Sequence, residues 1–201
     1  LYYFVVPITF DIFINGAGWS QQKYNGIVGG IVVFGAMFGQ IFGGLLGDKF
    51  GTRRVAMVGF LTLSLANAAL AMLEPLWTNT TVMTIFLIVQ AFVAGIAWIC
   101  IISLAMRLTW SKVGGTQFTA YMSLFNLSGV TAYLLTERMI EIFDYSSAIY
   151  VGATLTMISA IMLIFIDEDE TDRVLEGRLG DDDEDEDEWW TEEGESMEGA
   201  E

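Results

Sequence analysis

The sequence predicts an all-helical bundle that crosses a membrane several times and ends in an acidic tail, and three observations carry that expectation. Hydrophobic residues make up 54% of the 201 and charged ones only 17%, with a mean hydropathy of +0.52, a balance suited to lipid rather than water as solvent. Long apolar runs alternate with short polar breaks. The charge is divided unevenly: nineteen of the 25 acidic residues lie in 167–201 beside only Arg173 and Arg178, so the net charge of −16 belongs to that tail. The first 166 residues, with seven basic and six acidic side chains, are nearly neutral.

A helix needs about 20 residues to cross roughly 30 Å of hydrocarbon. The first run, 1–14, reaches only about 21 Å at 1.5 Å per residue, and is expected to be a helix truncated at its start. It opens without methionine and without a basic segment, so it is not read as a secretory signal. Five longer runs follow at 26–46, 55–73, 82–106, 117–135 and 148–166, each expected to be a membrane-spanning helix. The tail, 167–201, begins Asp167-Glu168-Asp169-Glu170 and includes the acidic run 181–188. It has too much like charge and too little apolar surface to pack, so disorder is expected. Trp189 and Trp190 interrupt it and leave open a partner- or cation-binding segment beside a simply solvated one.

Basic residues orient such a bundle. The 47–54 break carries Lys49, Arg53 and Arg54, and the 107–115 break carries Arg107 and Lys112, whereas the opposite breaks hold Lys23 and Arg138. The first set is expected on the cytoplasmic side of the cell membrane, and the parity of crossings puts the C-terminus there too. Asn79-Thr80-Thr81 then faces outward, either as a glycosylation acceptor or as a polar tripeptide that matches by chance.

Several functions are excluded. Histidine is absent and Cys100 is the only cysteine, so no disulfide framework, zinc cluster or histidine-based catalytic set can form within this chain. No metal or cofactor is expected. Nucleic acid is a poor partner without a basic surface. Catalysis inside the bilayer would need convergent ionisable groups, and only Asp11 lies well within a run. An enzyme is therefore not expected; a non-transporting scaffold or assembly protein is one reading left open, and it would not need polar residues along a path.

Gly35, Gly39, Gly43 and Gly47 recur every four residues, so they share one helix face. Such a stripe lets two backbones approach closely, for tight packing, for a sliding surface, or for both. The run leads into Gly44-Leu45-Leu46-Gly47-Asp48-Lys49-Phe50-Gly51-Thr52-Arg53-Arg54. Gly47 and Gly51 allow a tight turn, and the arginines can pair with Asp48 or with carbonyls at a helix C-terminus. The segment resembles the loop motif of the major facilitator superfamily, with Thr52 where that family often has arginine. Arg107-Leu108-Thr109-Trp110, Gly115 to Asn126 and Tyr145-Ser146-Ser147-Ala148-Ile149-Tyr150 look like the C-terminal half of its muropeptide permease and acetyl-coenzyme A transporter branch.

The resemblance implies that 1–166 is the six-helix C-terminal half of that fold, helices seven to twelve, with the N-terminal half of the same polypeptide missing; an N-terminal half is the other reading. It implies secondary active transport of a small solute by alternating access. Gly44, Gly47, Asp48, Lys49, Gly51, Arg53 and Arg54 would form a conformational latch. Asp11, Asn15, Gln40, Gln90, Gln117 and Asn126 fall on the segments corresponding to the family's cavity helices. Polar groups facing lipid are costly, so these are expected to serve interhelical bonding, solute or ion contact. Asn67, off those segments, is expected to bond helix to helix. Burial would make Asp11 a candidate carrier of a coupling proton.

Overall fold

A computed structural model describes residues 4–110 and 113–166. The expected acidic tail, 167–201, lies outside the described residues, as do Lys112 and the first three positions. Among the described residues there are helices and no strands. They comprise α1 (Val5–Asp11), α2 (Gln21–Ile27), α3 (Val33–Phe50), α4 (Thr52–Met72), α5 (Thr80–Arg107), α6 (Gly114–Ile142) and α7 (Tyr145–Met162). A π-helical turn, Ile12–Gly16, prolongs α1, and another, Val28–Val32, joins α2 to α3. Short 3-10 turns sit at Glu74–Leu76 and Leu163–Phe165.

Over their described residues all six runs are helical, but the chain departs from them at the ends. Ser20 caps α2 by accepting the Lys23 N–H at 3.2 Å, and Asn79 caps α5 by accepting from Val82 N–H at 3.3 Å. Both satisfy donors that a helix start leaves open, so the helices begin before the apolar residues do. Gln21–Phe50, Thr52–Met72, Thr80–Arg107 and Tyr145–Phe165 are long and apolar enough to span a membrane. The α6 helix departs most from the expected 117–135: it runs 29 residues, long enough to cross, but its many hydroxyl and amide side chains keep it out of that set. The first helix with its π turn, Val5–Gly16, is shorter still. Within Gln21–Phe50, Gly30 (φ −100°, ψ −105°) leaves helical geometry and kinks the span.

Packing follows the small residues. The stripe Gly35, Gly39, Gly43 and Gly47 is buried, and α3 lies along α5. A methyl group at Gly35 would come within 2.8 Å of the Ile88 carbonyl oxygen, and one at Gly43 within 2.7 Å of Ile96 Cα. At Gly39 it would overlap the Phe92 carbonyl, and at Gly95, across the seam, that of Ala36. The two backbones are in direct contact, gaining dispersion contacts that lipid cannot replace. The α4 helix packs on both α5 and α7, and the Ser64 hydroxyl donates to the Ala153 carbonyl at 2.7 Å.

Two apolar clusters divide the bundle lengthwise. One gathers Ile8, Ile12 and Phe13 of the first helix with Leu70, Met83 and Ile149. The other holds Ala56, Leu63, Ala97, Leu104 and Ala160 around Cys100. Connections alternate accordingly: the turns after α1, α4 and α6 meet at the first end, and those after α3 and α5, with the end of α7, at the second.

Candidate functional site

At the second end, Gly51 (φ +90°) ends α3 and starts α4, so the chain reverses across one residue. That backbone angle favours glycine because a Cβ is strained there. Gly47, expected to share in the turn, instead lies within α3 with Cys100 and Thr52 against it. Arg53 reaches across to α7: its Nε donates to the Leu163 carbonyl at 2.8 Å and a terminal guanidinium nitrogen to Ile164 at 2.5 Å. It therefore satisfies carbonyls that the helix end leaves open. Among the described residues Asp48 forms no ion pair. It is exposed, lining a cleft of about 260 Å³ with Gly44, Thr52 and Ser103. Lys49 places Nζ 5.2 Å from the Phe50 ring centroid.

The first end is closed by polar contacts between helices far apart in sequence. Tyr145 donates its hydroxyl proton to Asp11 Oδ2 at 2.8 Å, and the Asn15 amide donates to Oδ1. Asp11 thus ties α1 to the start of α7. Nearby, the Ser146 hydroxyl donates to Glu74 at 2.5 Å, and the Lys23 ammonium donates to Thr80 Oγ1 at 2.6 Å while lying over the Trp19 ring.

Between the ends, Gln90 Nε2 donates to Asn67 Oδ1 at 2.6 Å. Asn67 is fully buried, so the pair is a helix-to-helix bond between α5 and α4. Gln90 also lines a cleft of about 120 Å³ with Thr9, Tyr24 and Val32. Gln117 sits where α5 turns into α6. Its Oε1 accepts from Trp110 N–H at 3.0 Å, and its Nε2 donates to the Leu108 carbonyl at 3.3 Å and to the Tyr121 hydroxyl at 2.7 Å. It clasps that connection. Gln40 on α3 and Asn126 on α6 are exposed.

The six polar candidates are thus dispersed: Asp11 and Asn15 together at one end, Gln117 at the other, and Gln90, Gln40 and Asn126 between. Sequence reasoning missed Tyr145, Thr9 and Tyr24 as their neighbours, because an aromatic or a threonine in an apolar run gives no signal of which element it meets. It also missed the face of α6. Thr116, Thr119, Ser123, Asn126 and Tyr133 are all exposed and follow one another at helical spacing, beside an exposed apolar face of Leu124, Leu127 and Leu134. The Thr119 and Ser123 hydroxyls bond back to carbonyls four residues earlier; the Asn126 amide has no such short reach.

Stacked apolar helices, reversals at alternate ends and a Gly-Asp-basic hairpin define an integral, multi-pass membrane protein. The profile of the Major Facilitator Superfamily matches residues 1–186, and the chain belongs to that family of membrane transporters, which move small solutes across the lipid bilayer. No curated protein and no solved structure matches the chain.

Proposed function

We propose that this chain is a six-helix half of a secondary active transporter of the cell membrane, moving a small solute by alternating access with proton coupling. The observation that carries the reading is the polar face of α6. In a helix long enough to span, an exposed stripe ending in Asn126 and Tyr133 would be costly against hydrocarbon, so it fits a water-filled path shared with a second half. Family membership favours transport over the scaffold alternative. In this reading 1–166 is the bundle, corresponding to helices seven to twelve, and 167–201 the tail. The narrower likeness to the muropeptide permease and acetyl-coenzyme A transporter branch rests on the segments around 107–126 and 145–150.

The hairpin end, with Lys49, Arg53, Arg54 and Arg107, is read as cytoplasmic by the positive-inside rule, and the C-terminus with it. Asp48, free to accept hydrogen bonds beside a fixed α4–α7 corner, is read as the latch acceptor for the other half. Asp11 is read as the candidate coupling residue, because its carboxylate accepts the bonds from Tyr145 and Asn15 that hold α1 to α7.

The test is uptake and efflux of a solute panel by the full-length protein in proteoliposomes, with and without a pH gradient. Gradient-driven flux is expected, falling roughly tenfold in Asp48→Asn, as for a lost coupling of about 1.4 kcal/mol, and losing its pH dependence in Asp11→Asn. No flux from folded protein would return the scaffold reading, and an unchanged pH dependence in Asp11→Asn would remove the proton from the mechanism.

A further inference from the structure

Near the hairpin, α3, α4 and α5 diverge and leave a groove of about 390 Å³. Leu46 and Phe50 of α3, Val55 and Val58 of α4, and Ile96 of α5 line it, together with Gly59, where α4 rests against Ala97 of α5. Among the described residues its only charged lining residue is Arg54. From there it climbs α4 to Thr62, about 12 Å along the helix, and the Thr62 hydroxyl is already given to the Val58 carbonyl at 2.8 Å. The groove is therefore apolar along its length and cationic at one end.

We propose that this groove seats an acyl chain of an acidic phospholipid whose phosphate is held by Arg54 and Lys49. Charge complementarity selects the occupant. Arg53 is occupied by the α7 carbonyls, but Arg54 is exposed at the groove mouth, and the Lys49 ammonium lies against Phe50, itself a groove wall. Asp48, the nearby carboxylate, lines a different cleft between α3 and α5, so it is segregated from the seat of an anion. A free phosphate would use the cations and gain nothing from the valines. A phospholipid uses both, and the walls stand among exposed apolar side chains such as Leu45, Phe50 and Val58, as a surface bathed by acyl chains requires. The site depends on the chain spanning a bilayer and not on the transport reading.

The test uses the full-length protein purified from nanodiscs containing equal phosphatidylglycerol and phosphatidylcholine of one chain length, with retained lipid counted by native mass spectrometry. Retention of phosphatidylglycerol over phosphatidylcholine is expected, with the preference dropping roughly fivefold for each of Arg54→Gln and Lys49→Gln, the loss of one basic contact to an anionic lipid. Both positions are exposed, so these variants should fold. A benzophenone side chain at Val58 is expected to cross-link to lipid. Equal retention of the two lipids, a preference unchanged in both variants, displacement by glycerol phosphate without acyl chains, or a Val58 cross-link to a second copy or another stretch of the polypeptide would each overturn the proposal.

Discussion

Asn67 and Gln90 show how a single polar pair is used within the membrane. Asn67 is fully buried, accepts from Gln90, and leaves its own Nδ2 without a partner among the described residues. An interhelical bond of this kind contributes modestly, because polar groups in the unfolded-in-membrane state also find partners. A double-mutant cycle of Asn67→Leu and Gln90→Leu, read by unfolding in mixed micelles, should give a coupling of about 0.6 kcal/mol, with about 1.7 as the upper bound. Outside the spans, Asp144 precedes α7. The nearby Ser147 hydroxyl, and after it the backbone N–H groups at the start of that helix, hold the Asp144 carboxyl below its usual range, against an opposing desolvation. A carboxyl lowered in the folded state contributes stability above its unfolded pKa and loses it as pH falls through the folded one. Asp144→Asn should therefore weaken the fold at neutral pH and make its melting less sensitive to acid, a difference read from melting scans at descending pH.

At the level of elements, the α3–α5 seam makes neighbouring glycines unequal. Gly39→Ala drives a methyl into the Phe92 backbone, whereas Gly44→Ala meets nothing within 4 Å. The first should cost about 1–3 kcal/mol by overpacking. The second should be neutral or gain up to about 1 kcal/mol from helix propensity; micellar unfolding of the two variants separates them. The Arg53 contacts join α4 to the end of α7, so Arg53→Gln should raise hydrogen exchange at Leu163 to Ile166 while leaving the Asp11 end of α7 protected. Helices of this kind were legible because hydrophobicity accumulates over twenty residues. Their ends were not, since Ser20 and Asn79 begin helices through polar caps and α6 continues past its apolar run to the exposed Arg138–Glu141 pair. The site was less legible still. The motif residues were visible as a string, but Arg53 bonds to carbonyls more than a hundred residues away, and Asp11 meets Tyr145 across 134 positions. No local pattern encodes such partners.

For the whole molecule, the faces of α6 divide the surface into lipid-like and water-like parts. Single cysteines at Ser123 and Asn126 should react with water-soluble maleimides in membranes, and cysteines at Leu124 and Leu134 should not. The native Cys100 is buried, its thiol directed to the Gly43 carbonyl at 3.4 Å, and should stay silent as background. Uniform protection of all four positions would remove the water-filled path.

The glycine seam also sets an order of events during synthesis. The α3 helix rests on α5 rather than chiefly on α4, the next helix to emerge. The surface at Gly39 therefore has no partner until Phe92 has been made, about 50 residues later, which at roughly 5–20 residues per second is an interval of several seconds. Until α5 joins it, the α3 face lacks the backbone it packs on, and is open to any other helix that passes. Faithful assembly of this bundle thus depends on the ribosome delivering α5 before a stranger finds that face.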